Sequence, residues 1–209
     1  MLNSIKQAIK RTLPDDVLKL RRDLEARRAW EKQGRPSPPP HIIKEELIRD
    51  YAKTFNTNIL IETGTYLGDM VHAMKKSFSR VISFELDQTL ATQARQRFSS
   101  DSHIEIIQGD SGKLLGDYLA NINEPCLFWL DGHYSGGITA KGPLETPIKN
   151  ELTAILSHAV DGHVVLIDDA RCFTGENDYP TLDELKSFVA ARKPNYKFSL
   201  EHDVIRIHK

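Results

Sequence analysis

Five short apolar runs, "NILIETG", "RVISFELD", "HIEIIQGD", "CLFWLD" and "HVVLID", recur along the chain, and each closes around an aspartate or glutamate. Between them lie stretches whose apolar residues return every three or four positions, as on one face of a helix. This alternation of strand and helix character is the strongest constraint on the fold. It predicts βα units and therefore a largely parallel sheet covered by helices.

The helical stretches can be placed by their periodicity. Ile43, Leu47, Tyr51 and Phe55 form one apolar face ahead of the first strand. "GDMVHAMKKSF" turns Met70, Met74 and Phe78 inward, and "QTLATQARQRF" follows the second strand. A helix through Leu115, Leu119 and Ile122 follows the third strand. Thr146-Pro147 starts another through Ile148, Leu152, Ile155 and Leu156, with proline at its first position. "CLFWLD" is continuously apolar, as strands covered on both faces are. Thr181 and Glu184 make a capping box that opens "LDELKSFVAAR". The last two apolar runs, "YKFSL" and "VIRIH", are joined only by Glu201-His202-Asp203, enough for an antiparallel hairpin but too short for a parallel crossover. The expected fold is therefore α/β: a doubly wound, Rossmann-like sheet with a C-terminal antiparallel hairpin. Ligands bind such sheets beyond the carboxyl ends of the strands, where the acids fall.

The 209 residues divide chemically near Pro40. Residues 1–40 hold ten Lys and Arg against five Asp and Glu and end in the proline-rich "GRPSPPP", so they read as a basic helical extension on a domain spanning 41–209. Ile5, Ile9, Leu13, Val17, Leu20 and Leu24 form an apolar stripe in the extension, which Pro14 splits into two helices. Helices this short need burial, and a second copy of the chain is the first expected cover, giving a homo-oligomer. A net charge of −1 offers no basic field for nucleic acid, and no apolar run approaches the ~20 residues of a membrane span. Two cysteines make neither a disulfide framework nor a zinc site, so a reducing cytoplasm is expected.

The first βα turn, "ETGTYLGD", carries Glu62, Thr63, Gly64, Thr65 and Gly68. Tyr66 stands where a dinucleotide fold would have its second glycine, so a pyrophosphate cannot sit against this backbone. An acid followed by a looser glycine turn suits a ligand bearing a cation instead. Glu85, 23 residues after Glu62, ends the second strand where a carboxylate suits ribose hydroxyls. Asp110 and Ser111 offer polar groups to an adenine edge. The plainer account is that the glycines only permit a tight turn and that Glu85 is a solvated strand end.

Asp131 and the Asp168-Asp169 pair end the fourth and fifth strands. On neighbouring strands Asp131 and Asp168 lie about one strand spacing, ~5 Å, apart, where two carboxylates repel. A hard divalent cation resolves that conflict, and an all-oxygen set favours magnesium. Asp168 and Asp169 can both ligate only if the chain turns between them. The plainer account makes Asp131 and Asp169 turn and helix caps. His133 is the candidate general base. Arg171 offers a partner to a substrate anion or to a site aspartate.

The series "IETGTYLGD…VISFELD…IIQGD…FWLDGH…VVLIDDA" resembles the class I S-adenosylmethionine-dependent methyltransferases over about residues 42–208. Within them it is similar to the metal-dependent macrocin O-methyltransferase type, which modifies sugars and natural products. The resemblance implies that Glu62 to Gly68 cradle the methionine part, Glu85 holds the ribose, and Asp110 and Ser111 border the adenine. It also implies that Asp131, Asp168 and Asp169 bind Mg2+ and that a base follows the first metal aspartate. The acceptor is then a hydroxyl of a sugar or glycosylated small molecule. A metal-dependent hydroxylase-like or dehydrogenase-like enzyme, or a non-catalytic cofactor-binding protein, would share the fold.

Overall fold

The computed structural model of the chain describes residues 15–132 and 146–209. The described helices are α1 (Asp15–Lys32), α2 (His41–Phe55), α3 (Asp69–Met74), α4 (Gln88–Arg97), α5 (Ser111–Leu119), α6 (Ile148–Ser157) and α7 (Leu182–Arg192). A single 3₁₀ turn spans Ala170–Cys172. The strands β1 (Ile59–Thr63), β2 (Arg80–Glu85), β3 (Ile104–Gln108), β4 (Cys126–Leu130), β5 (Val164–Ile167), β6 (Lys197–Glu201) and β7 (Val204–His208) form one sheet in the order β3-β2-β1-β4-β5-β7-β6. The first five pair in parallel, and the final hairpin joins through β7 antiparallel to β5. The sheet is thus the α/β sheet that the βα alternation predicts, including its antiparallel end.

Alternate residues of the strands feed two cores. Ile61, Ile82, Phe128 and Val165 pack on α5, α6 and α7, while Leu60, Val81, Leu127 and Leu166 pack on α2, α3 and α4. The capping box of Thr181 and Glu184 opens α7 as expected. Two local expectations need correction. The helix after β1 stops at Met74, because the chain must turn so that Ser79 and Arg80 donate to the Asn58 carbonyl and start β2; Phe78 is still buried. Pro147 is the residue before α6 and not its first position. In α2 the deepest line is Glu45, Ile48 and Ala52. The apolar face read from the sequence flanks that line: Leu47, Tyr51 and Phe55 pack partly buried against the core, and Ile43, Leu47 and Tyr51 also line a groove of about 290 Å³ against Val204 and Arg206.

The extension is not a detached tail. Glu45, only 2% exposed, accepts from Lys19 of α1 and from His41 and Arg49 of its own helix. Burial alone would raise its pKa, but these three hydrogen bonds hold it down at about 2. Trp30 is buried, donates to the Pro36 carbonyl at 2.7 Å and meets His202 of the terminal hairpin edge-on. So α1 is pinned at both ends. Among the described residues, no helix is long and apolar enough to cross a membrane.

Candidate active site

The carboxyl ends of β1, β2 and β3 form one side of the site. Gly64 and Gly68 take φ of 88° and 78°, so the turn after β1 does need its glycines. A Cβ on Gly64 would lie 2.5 Å from the backbone oxygen of Asp131, and one on Gly68 would lie 2.8 Å from the Phe98 ring. What approaches Gly64 is the end of β4. Thr63 ends β1 at 0% exposure and abuts Gly132.

Glu62 does not face the turn. It is buried and receives the Ser83 hydroxyl in a short hydrogen bond, while the Thr65 and Ser83 hydroxyls pair at 2.6 Å. Burial pushes its pKa up to about 8, so its carboxyl keeps a proton at neutral pH and organises β1 against β2. Glu85 does stand at the turn. Its two oxygens accept from the backbone N–H groups of Tyr66 (2.7 Å) and Asp87 (2.9 Å), with the Leu86 N–H also turned toward the carboxylate, which leaves part of its accepting capacity free. Tyr66 and Leu67 project above it, 46% and 45% exposed.

Asp110 caps α5 through the Gly112 N–H. Ser111 turns the other way and donates to Glu151 at 2.6 Å. Glu151 lies in the first turn of α6 and is 1% exposed. Burial pushes its pKa up to about 7.

The ends of β4 and β5 make the second side. Leu130 pairs with Ile167, so Asp131 and Asp168 follow in register, and the Asp168 N–H donates to the Leu130 carbonyl at 3.0 Å. The expected adjacency of these two acids is met. Asp169 has φ 55°, so the chain does turn between Asp168 and Asp169. Yet both acids already have partners. The Lys44 ammonium, carried by α2, bonds Asp168 Oδ2 and lies 4.0 Å from Asp169 Oδ1. Asp168 Oδ1 accepts the Asp169 N–H at 2.9 Å. Arg171 donates to Asp169 Oδ1 at 2.7 Å and to Asp203 at the hairpin turn, which answers the choice left open for it in favour of site aspartates.

Burial, then the charge of Asp131, raises the Asp168 pKa to about 6. Burial would lower the Lys44 pKa, but Asp168, with Asp131 and Asp169 behind it, raises it, so the ammonium persists. A cavity of about 10 Å³, room for a single water, lies between Asp131, Thr146, Glu151, Asp168 and Tyr179. His133 and residues 134–145 lie outside the described residues.

Sequence reasoning missed Lys44, Glu151 and Asp203. Lys44 gave one usable signal, a lysine wedged beside the apolar residue Ile43 on a helix that covers the sheet. Glu151 similarly sits beside Leu152 on an apolar face. Asp203 looked like an ordinary turn residue.

No protein-family model matches the chain, and no curated protein matches it in sequence. Solved structures do match in fold. The O-methyltransferase from Bacillus cereus in complex with SAH superposes with a TM-score of 0.61 at 14% identity, covering 99% of this chain and 97% of that one. The O-methyltransferase TomG from Streptomyces achromogenes, involved in tomaymycin synthesis and in complex with SAM, gives 0.58 at 16% identity over 88% and 87%. The SAH-bound methyltransferase PaMTH1 from Podospora anserina gives 0.56 at 13% identity over 99% and 94%. The fold is the Rossmann-like one of these methyltransferases.

Proposed function

We propose that the protein is an S-adenosylmethionine-dependent O-methyltransferase acting on a hydroxyl of a small molecule, a sugar or glycosylated compound by the resemblance of its motifs. The observation that carries this reading is Glu85. It ends β2 beside a glycine turn, anchored by backbone N–H groups and with lone pairs left for ribose hydroxyls, in a fold whose neighbours hold SAM or SAH. When bound, S-adenosylmethionine supplies a methyl group activated on a sulfonium.

On this reading Gly64 to Gly68, with Thr63 and Thr65 beneath, shape the floor of the cofactor site. Tyr66 and Leu67 offer apolar cover. Asp110 borders the adenine, whereas Glu62 and Ser111 support the site from within. The acceptor hydroxyl comes in over Asp131 and Asp168, and His133 remains the proposed acceptor of its proton.

Magnesium was the expected cation for Asp131, Asp168 and Asp169. Among the described residues no group of acids, histidines or cysteines is arranged to hold a metal ion. The Asp168 oxygens and Asp169 Oδ1 already bind Lys44, Arg171 and a backbone N–H. As arranged among the described residues, these side chains do not fit a resident magnesium.

A homo-oligomer through α1 remains part of the proposal, supported by Val17, Leu20 and Leu24, which stay exposed on one side of that helix. A cytoplasmic location is supported by the free thiols of Cys126 and Cys172.

The test of the function is calorimetric titration with S-adenosylmethionine and, separately, with NAD. Saturable S-adenosylmethionine binding with no NAD binding is expected. A chain that binds neither, or only NAD, removes the methyltransferase reading.

A further inference from the structure

We propose that the Lys44 ammonium is the resident cation of the Asp131, Asp168 and Asp169 cluster, filling the position a divalent ion would otherwise take. The inference rests on the geometry of the cluster and not on methyl transfer.

Three carboxylates at adjacent strand ends repel unless a cation stands among them. Lys44 supplies one, bonded to Asp168 Oδ2 and 4.0 Å from Asp169 Oδ1. The pair is shielded, with the Lys44 side chain 15% exposed and that of Asp168 1%. A lysine stem suits this reach, since its apolar methylenes can follow the groove beside Ile43 and Leu47 while the charge projects past it.

The arrangement is held from behind. The next residue, Glu45, is gripped by Lys19, His41 and Arg49, which fixes the turn of α2 that carries Lys44. Arg171 occupies the outer side of Asp169 and ties it to Asp203. One Asp168 oxygen cannot hold an ammonium and a divalent ion together, because the two cations repel at contact distance. A metal must displace Lys44 to bind.

The test compares Mn2+ binding to the metal-stripped full chain and its variants, reading free Mn2+ by electron paramagnetic resonance. Lys44→Ala and Lys44→Met should each bind one Mn2+ per chain with a Kd at least about tenfold below that of the wild type. Lys44→Arg, which keeps the charge, should behave as the wild type. Adding Asp168→Asn to Lys44→Ala should remove the gain. Circular dichroism confirms that each variant is folded, and Lys44→Met keeps most of the stem in case alanine loosens α2. Equal Mn2+ affinity in wild type and both neutral variants overturns the proposal. So does a gain that survives Asp168→Asn.

Discussion

The acids at the ends of β1 to β3 and those at the ends of β4 and β5 are kept in place by different means. On the first side the partners are mostly neutral and local: a serine hydroxyl for Glu62, backbone N–H groups for Glu85, and for Asp110 the Gly112 N–H, with the exposed Lys113 ammonium 3.3 Å from its other oxygen. On the second side the main partners are full charges that tie remote segments together. Lys44 reaches Asp168 across 124 residues of sequence, and Arg171 joins Asp169 to Asp203, 32 residues further on. Neutral donors leave a carboxylate able to accept from an incoming hydroxyl. Cations instead set the charge of the place where a reaction would run. On the proposed reading the first side holds the ligand and the second balances charge.

The largest expected effect lies where the two sides touch. Gly64→Ala combines a left-handed backbone with a clash against Asp131 and should cost about 4 kcal/mol in chemical denaturation. Gly34→Ala, which shares the positive φ but meets nothing within 4 Å, should cost only about 1 kcal/mol. Equal losses would mean that the contact between the sides carries no stability.

Asp168→Ala comes next, because it strips a shielded ammonium of its main partner and should destabilise by about 3 kcal/mol. A loss under about 1 kcal/mol would show that Asp169 replaces it freely and that the charged side is no more constrained than a surface.

The pH dependence probes Glu151, behind the cradle. Its folded pKa of about 7 lies above the ordinary carboxylate value, so the folded state binds the extra proton. Its contribution is complete below about pH 4.5 and is lost as pH rises through about 7, a fall of up to about 3 kcal/mol. Glu151→Gln should flatten that part of the stability curve, and an unchanged curve would assign the slope to Glu62 or elsewhere.

The smallest effect is on binding. Glu85→Ala should weaken S-adenosylmethionine by about 2 kcal/mol, the loss expected for hydrogen bonds to a charged group. Calorimetry showing no change would remove Glu85 from the ribose.

The same contrast decides what the sequence could reveal. Glu85 and Asp110 were legible because they sit at strand ends, and strand ends follow from local periodicity. The adjacency of Asp131 and Asp168 followed from strand order alone. Lys44 was not legible, because its place depends on how α2 crosses the sheet, and helix packing angles leave no local periodicity. The turn of Glu62 toward Ser83 was hidden for a related reason, since one side chain's direction depends on a neighbouring strand. The apolar face through Ile43, Leu47, Tyr51 and Phe55 was legible from its spacing, but not that Ile48 and Ala52 lie deepest, which depends on how the helix rolls on the sheet.

The order β3-β2-β1-β4-β5-β7-β6 has a consequence for how the chain folds and opens. The three strands on one side of the β1–β4 pairing all come from residues 59–108, and the four on the other side from 126–208. Each half is contiguous in sequence, and the site straddles the line between them. A fluctuation that parts β1 from β4 would dismantle the site while leaving each half's own ladder intact. Proteins commonly open in such cooperative units. Native-state hydrogen exchange should therefore show the Asp131 amide, which bonds the Thr63 carbonyl at 3.0 Å, exchanging at a lower free energy than the amides between β2 and β3. Identical exchange free energies would mean that the two halves rise and fall as one.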